Sequence, residues 1–407
     1  MSGRYRGLKN SIRLGLILVI GWGSLSAQAA ITPFVRVLID RQIEGVKVEG
    51  FDVVVEAIGG NAAATRVVMQ HPERTTLQLD CKSLNGFVTV VNKALDLSKW
   101  FQPKARSHRI AGPLRISSRG GFLRVGAKQF RDALYIYSAN QECVVVNHVD
   151  LEKYVVGLLN SEMSANWSMQ ALKAQAVAAR TYAVYQMREA GNAVTPRPFD
   201  VQSTVKDQVY EGAHKERFAT TRAVLETQGQ ILTFAHTPIK AFYHSTCGGQ
   251  TENPAKVWGM SVPYMKPVPC AYCKTSPRYK WDHSITYREL TTRLFNAKLM
   301  ERREGVKQVS IAKFNNLGRA QTIIVKTNKR EILMPAQRFR EILGFSNVLS
   351  TRFRLDTALG VLLVEGRGSG HGVGLCQYGA KGMSDQGYSF DQILKHYYPL
   401  AKLEKMY

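Results

Sequence analysis

The stretch Asp150-Leu-Glu-Lys-Tyr-Val-Val-Gly-Leu-Leu-Asn-Ser-Glu162, running on through Met163-Ser-Ala-Asn-Trp167 into Ser168-Met-Gln-Ala-Leu-Lys-Ala-Gln-Ala-Val-Ala-Ala-Arg180-Thr-Tyr-Ala183, decides how this chain folds. Asp150 places a carboxylate ahead of an apolar run and reads as an N-cap, because a side-chain oxygen there accepts the free N–H groups of a first helical turn. Leu151, Tyr154, Val155, Leu158 and Leu159 recur at helical spacing and predict a helix from Asp150 through Leu159 with one apolar face. A connector over 160–167 leads to Ser168, a second N-cap candidate. The run Met169–Ala190 is rich in Ala, holds neither Pro nor Gly, and predicts a long helix that stops at Gly191. Its Ala174, Ala178, Ala179 and Ala183 leave room for neighbouring backbone to approach closely.

Upstream the texture is different. Phe34-Val-Arg-Val-Leu-Ile39, Phe51-Asp-Val-Val-Val55, Thr75-Thr-Leu-Gln-Leu79 and Phe87-Val-Thr-Val-Val91 are short β-branched or alternating runs broken by Gly, Asn and Pro, and the pattern continues to residue 145. Downstream, 192–208 reads as a surface loop, 216–228 and 286–304 as helices, and 306–325 as strands. The last part runs from Gly366-Arg-Gly-Ser-Gly-His-Gly-Val-Gly374 into helices ending Leu394-Lys-His-Tyr-Tyr-Pro399. The expected class is α+β, with a β-rich region over 30–145 and a mixed α/β domain over 146–402.

The chain has 407 residues, a net charge of +24 and 45% hydrophobic residues, which excludes a disordered tail and leaves ample material for a core. Such a charge attracts nucleic acid, acidic membrane and acidic polysaccharide alike. The N-terminus separates them. Arg4, Arg6, Lys9 and Arg13, an apolar run Leu14–Leu25 and the ending Ser26-Ala-Gln-Ala-Ala30 are the three parts of a secretory signal peptide over 1–29. The apolar run is shorter than the roughly 20 residues of a spanning helix, and no later segment reads as one. The expected location is therefore periplasmic or extracellular, at the cell wall. Nucleic acid is excluded as a partner, and wall carboxylates and phosphates are favoured.

Three stretches hold the residues with chemistry. Glu162, beside Met163 and Trp167, is either a carboxyl whose pKa is raised by apolar surroundings, suited to a general acid, or a solvated surface Glu. Phe242-Tyr-His-Ser-Thr-Cys-Gly-Gly-Gln-Thr251 sets His244, Ser245 and Cys247 just after a strand, although residues so close on a turn seldom align as a Cys/His pair. Cys247, Cys270-x-x-Cys273 and Cys376 form either a four-thiolate zinc site or two disulfides. Cys81 and Cys143 are a third disulfide candidate in an exported chain. The glycine loop around His371 lacks the ending of a nucleotide-binding loop.

Together these stretches resemble the SpoIID/LytB family, the stage II sporulation protein D and amidase-enhancer proteins. The likeness rests on Leu151-Glu-Lys-Tyr-Val, Ser161-Glu-Met, Ala171–Ala183, Val205-Lys-Asp-Gln-Val-Tyr210, Ser245-Thr-Cys-Gly-Gly-Gln-Thr-Glu252 with Val257-Trp258, and Gly366–Ala380, in the family's order. The resemblance implies lytic transglycosylase action on peptidoglycan glycan strands stripped of peptide, giving 1,6-anhydro-N-acetylmuramic acid ends. Glu162 matches the family's catalytic glutamate and Arg180 the arginine of the following helix, expected as a catalytic residue that either holds a lactyl carboxylate bidentately or tunes Glu162. His371, Gln377, Tyr243 and Ser245 are the implied sugar-contacting shell. No cofactor is required for this chemistry, and a structural zinc would have to use the Cys247, Cys270, Cys273 and Cys376 set, for which disulfides are the alternative. The alternative is a non-enzymatic wall-binding module that enhances a partner amidase. Some members bind zinc in the loop after the long helix; here that loop, 198–208, has neither Cys nor His.

Overall fold

The computed structural model describes residue 1 and residues 32–59, 65–82, 87–94, 106–204 and 207–407. The expected signal peptide, Met1 aside, and residues Val205 and Lys206 of the 205–210 motif lie outside the described residues. Among the described residues no helix is long and apolar enough to cross a membrane. The class is α+β, with the strands concentrated in the first part.

The β-rich region is one sheet in the order Val201–Gln202, Phe34–Gln42, Glu142–Asp150, Ala133–Ala139, Leu114–Ser118, Val46–Ile58, Thr65–Asp80, Phe87–Ala94, Arg106–Ala111. All pairings are antiparallel except Val201–Gln202, which runs parallel to the first strand and lies inside the expected loop 192–208. Alternation explains which face is buried: along Thr75–Asp80 every second residue, including Leu77 and Leu79, points into the core. Cys81 and Cys143 are joined as a disulfide that ties the long hairpin to the strand leading into the helices.

That strand ends at Asp150, whose side chain accepts the N–H groups of Glu152 and Lys153 at 2.9 and 3.1 Å and starts α1 (Leu151–Glu162). The helix is one turn longer than expected, so Glu162 is its last residue and not part of a connector. The break comes after it, where Asn160 Oδ1 accepts the N–H of Ala165. Ser168 precedes α2 (Met169–Gly191) as expected, without a side-chain capping bond. The buried alanines of α2 let it pack against α1, α3 (Phe218–Leu225) and the C-terminal helices.

Sheet residues such as Val35 and Leu134 share one apolar core with Leu158, Ala178 and Tyr398. The expected boundary at residue 145 falls inside a strand of that body. Beyond the short helix α4 (Pro254–Trp258) lies a separate core. Lys280–Thr286, α5 (Tyr287–Asn296, shorter than the expected 286–304), Val306–Phe314, Ala320–Thr327, Glu331–Pro335, α6 (Ala336–Leu343), Phe353–Ala358 and Val361–Arg367 bury Leu290, Ile323, Phe339, Leu343 and Val364 together. The chain then returns to the main body as the glycine loop, the strand Leu375–Cys376, α7 (Gln377–Asp385) and α8 (Phe390–Tyr397).

Candidate active site

A short parallel pairing builds the site: Tyr243 and His244 lie beside Leu375 and Cys376. It can form because the glycine loop runs against strand backbone. A Cβ on Gly374, at φ +72°, would sit 2.0 Å from Phe242 O, so no other residue fits there. The pairing, the end of α1 and the segment 207–209 enclose a cleft of about 550 Å³. A second depression, about 630 Å³ around Trp281 and Arg352, contains none of the expected site residues.

Glu162 lies at the floor of the cleft. Its Oε1 accepts the N–H of Val209 at 3.0 Å, and its Oε2 accepts Gln377 Nε2 at 3.3 Å. The Tyr243 hydroxyl also donates to the carboxylate. Tyr243 is held in turn by Gln208, whose Nε2 donates to the phenol oxygen at 3.1 Å while its Oε1 accepts from Tyr154 at 2.9 Å. Three donors favour the charged form, yet burial opposes them and prevails, so the carboxyl is held above the usual glutamate value. A protonated carboxyl oriented by fixed donors is what a general acid requires.

Among the expected sugar contacts, Tyr243, Ser245, His371 and Gln377 all line the cleft. The ring nitrogens of His371 are committed. Nδ1 accepts the N–H of Val373 at 3.0 Å, which leaves Nε2–H to donate to Tyr243 O at 3.0 Å. Burial keeps this imidazole neutral, far below its ordinary pKa. It braces the loop against the strand and offers the cleft only its ring, packed 4.9 Å from Trp258. His244 is different. Its Nδ1 faces Val373 O at 3.1 Å and its buried Nε2 has no partner among the described residues, leaving an acceptor at the cleft wall. Burial depresses its pKa to about 3. It forms no nucleophile pair with Cys247, whose sulfur faces Cys273 at 3.5 Å.

Arg180 is a correction. It is fully buried, and its Nε and Nη2 donate to the two carboxylate oxygens of Glu152 at 2.8 and 2.7 Å. Its remaining donors reach Gln230 O at 3.1 Å and Val224 O at 3.3 Å. A guanidinium so occupied holds no substrate carboxylate and is not bonded to Glu162; it ties α2 to the start of α1.

Sequence reasoning left Arg278 and Arg340 out of the site. Both line the cleft from residues around the separate core. Arg340 binds Val348 O and Leu349 O, each at 2.7 Å, and stays cationic near neutrality although burial lowers its pKa to about 10. Arg278 is exposed and forms no side-chain ion pair among the described residues. No local pattern marks either; only the fold brings them to the rim. Among other carboxylates, Glu211 pairs with Lys128 and Lys215, and Glu252 is buried against Arg319. Asp207 does line the cleft, but it accepts Tyr182 Oη at 2.8 Å, Gln186 Nε2 at 3.0 Å and the N–H of Gln202 at 2.9 Å.

A family model described as "Stage II sporulation protein" (SpoIID) matches residues 139–234, and one described as a domain of unknown function matches 271–374. The stage II sporulation protein D of Bacillus subtilis (strain 168) is 35% identical over 272 residues, covering 64% of this chain and 75% of that protein. An uncharacterized protein of Brachyspira hyodysenteriae is 35% identical over 283 residues, covering 70% of this chain and 74% of its own length. The amidase enhancer of Bacillus subtilis is 30% identical over 290 residues, with 60% of this chain and 39% of that protein covered.

Proposed function

The chain belongs to the stage II sporulation protein D family, and from that premise we propose that it is an exported, cell-wall protein that cleaves peptidoglycan glycan strands as a lytic transglycosylase. The observation that carries the reading is the single available carboxyl among the described residues of the cleft. Glu162 is buried at the cleft floor and held toward its acid form, whereas the other acid lining the cleft, Asp207, is committed to the frame, tying Tyr182 and Gln186 of α2 to the Val201–Gln202 strand. Hydrolytic glycosidases ordinarily use two carboxyls, one of them for water or as nucleophile. Intramolecular attack needs one.

In this reading Glu162 protonates the glycosidic oxygen that leaves as the 4-hydroxyl of N-acetylglucosamine. The bond from that oxygen to C1 of N-acetylmuramic acid breaks, and the C6 hydroxyl of the same sugar attacks C1. Its proton passes to the Glu162 carboxylate, which restores the acid. No water is consumed, and the new end is 1,6-anhydro-N-acetylmuramic acid. Val209 N–H, Gln377 and Tyr243 hold the carboxylate between the two transfers. Arg278, the exposed cation at the rim, takes the substrate-carboxylate role first expected of Arg180 and faces the lactyl groups of strands without peptide. The net charge of +24 draws the chain to the same carboxylates.

Mass spectrometry of glycan strands, with and without peptide stems, tests this after incubation with the native chain and with Glu162→Gln. Anhydro ends from the native chain, reduced by roughly 10²–10⁴ in the variant, are expected. Reducing ends would show hydrolysis instead. Binding by both proteins without cleavage would leave the function named for the amidase-enhancer relative, stimulation of a partner amidase.

A further inference from the structure

We propose that Cys247, Cys270, Cys273 and Cys376 bind one zinc ion through four thiolates, forming a structural knot directly behind the cleft. The four sulfurs all lie within 4.8 Å of one another. Zinc–sulfur bonds of about 2.3 Å in a tetrahedron set sulfurs roughly 3.8 Å apart, so these positions need only small adjustment to close on an ion. Two disulfides would instead need the cluster to collapse into two pairs at about 2.05 Å. Cys81 and Cys143 have formed such a pair in the same chain, while these four converge on a common centre. All four are at most 1% exposed.

The surroundings fit thiolates. The N–H groups of Cys247 and Gly379 point at Cys376 Sγ from 3.2 and 3.3 Å, and the Tyr397 hydroxyl lies 3.2 Å from Cys270 Sγ. Such outer donors orient metal-bound sulfur and offset its charge. Arg319, reaching Cys247 O at 3.3 Å, adds a buried cation beside the cluster. A Cβ on Gly379 would lie 2.8 Å from Cys270 Sγ and 1.9 Å from the Tyr397 oxygen, so the first turn of α7 closes on the sulfurs only because it carries glycine there. Four sulfurs suit zinc or iron. A role confined to holding chain segments together needs no electron transfer, which selects zinc.

The ligands come from three separated places in the sequence. Cys247 follows the strand that carries Tyr243 and His244, Cys270 and Cys273 flank the turn that leads into the separately cored segment, and Cys376 immediately precedes Gln377. One ion would therefore fix Gln377 against Glu162 and anchor the segment that brings Arg278 to the rim. It would act as a positioning centre with no contact to substrate.

Metal analysis of the full chain, purified without chelator and dialysed, should give one zinc per chain. Alkylation in denaturant with chelator and no reductant should then label these four cysteines and leave Cys81 and Cys143 unlabelled. Replacement by cobalt(II) should give the thiolate charge-transfer and visible bands of a tetrahedral four-sulfur site, and Cys376→Ser should lose the metal. Four unlabelled cysteines without metal would overturn the proposal in favour of disulfides. Four labelled cysteines without metal, or bound iron, would overturn it equally. These measurements use the native chain and no glycan, so they stand apart from the test of activity and do not depend on the variant's folding.

Discussion

Replacing Arg180 by Met separates a reacting arginine from a framework arginine. Met keeps much of the aliphatic stem and removes the guanidinium. Glu152, 7% exposed, would keep the N–H of Gly229 at 3.2 Å and the Tyr407 hydroxyl, but it would lose its cation and two charge-assisted bonds. Gln230 O and Val224 O would lose donors as well. Leaving one member of a buried pair alone costs about 3–5 kcal/mol, a large part of the 5–15 kcal/mol that holds most domains folded. With a urea slope of about 3 kcal/mol per molar, the unfolding midpoint should fall by about 1–1.7 M. Arg180→Met with Glu152→Leu removes the stranded charge too and should recover most of the loss, because an apolar replacement of a whole buried pair is often close to neutral. A double-mutant cycle in urea, paired with glycan cleavage per folded molecule, reads both quantities. If Arg180→Met unfolds at the native midpoint yet loses cleavage a hundredfold, the framework argument is wrong and the guanidinium acts in the cleft.

Two further outcomes are expected. Replacing Cys81 and Cys143 by Ala opens a loop with a sequence separation of 62, for which chain entropy gives about 4 kcal/mol of lost stability; a change under about 1 kcal/mol in urea unfolding would show the cross-link to be idle. The pH profile of kcat/KM should lose activity as pH rises through the Glu162 pKa, on a limb above the usual glutamate value of 4.5. Tyr243→Phe removes a donor that favours the carboxylate and should move that limb to higher pH; an unmoved limb refutes the role given to the phenol. The linkage has the matching sign. A carboxyl raised in the folded state favours folding below its unfolded pKa, and that stability is lost as pH rises through the folded value, so Glu162→Gln should unfold no more easily than the native chain at neutral pH.

Local signals were legible where local physics decides. Asp150 before an apolar face marks a helix start, and its carboxylate makes the two capping bonds. Gly191 and the alanine-rich run likewise delimit α2. The sequence places the end of α1 at Leu159 and a connector from residue 160, whereas Asn160 is helical and its side chain serves the turn after the helix. Arg180 could not be paired from sequence: Glu152 is 28 residues away, and only the crossing of α1 and α2 joins them. The four cysteines could be counted but not grouped geometrically, since 129 residues separate Cys247 from Cys376 until the parallel strand pair closes that gap. Arg278 reaches the cleft for the same reason, through packing that no nearby residue announces.

The separately cored segment leaves and rejoins the main body at one doorway, where Gly368 N–H donates to Tyr279 O at 3.0 Å and Thr246 and Ser369 exchange backbone bonds at 3.0 and 2.7 Å. A segment whose two ends stand side by side can be exchanged like a cassette, because its replacement need not stretch the frame. The rim of the cleft can thus be rewritten while Glu162 and its donors stay in place. A buried charge sets the condition. Glu252 belongs to the frame, but Asn315, donating at 2.7 Å, and Arg319, at 3.5 Å, both belong to the cassette. Any substitute must bring its own cation to that carboxylate, so the frame accepts new cassettes through an electrostatic lock.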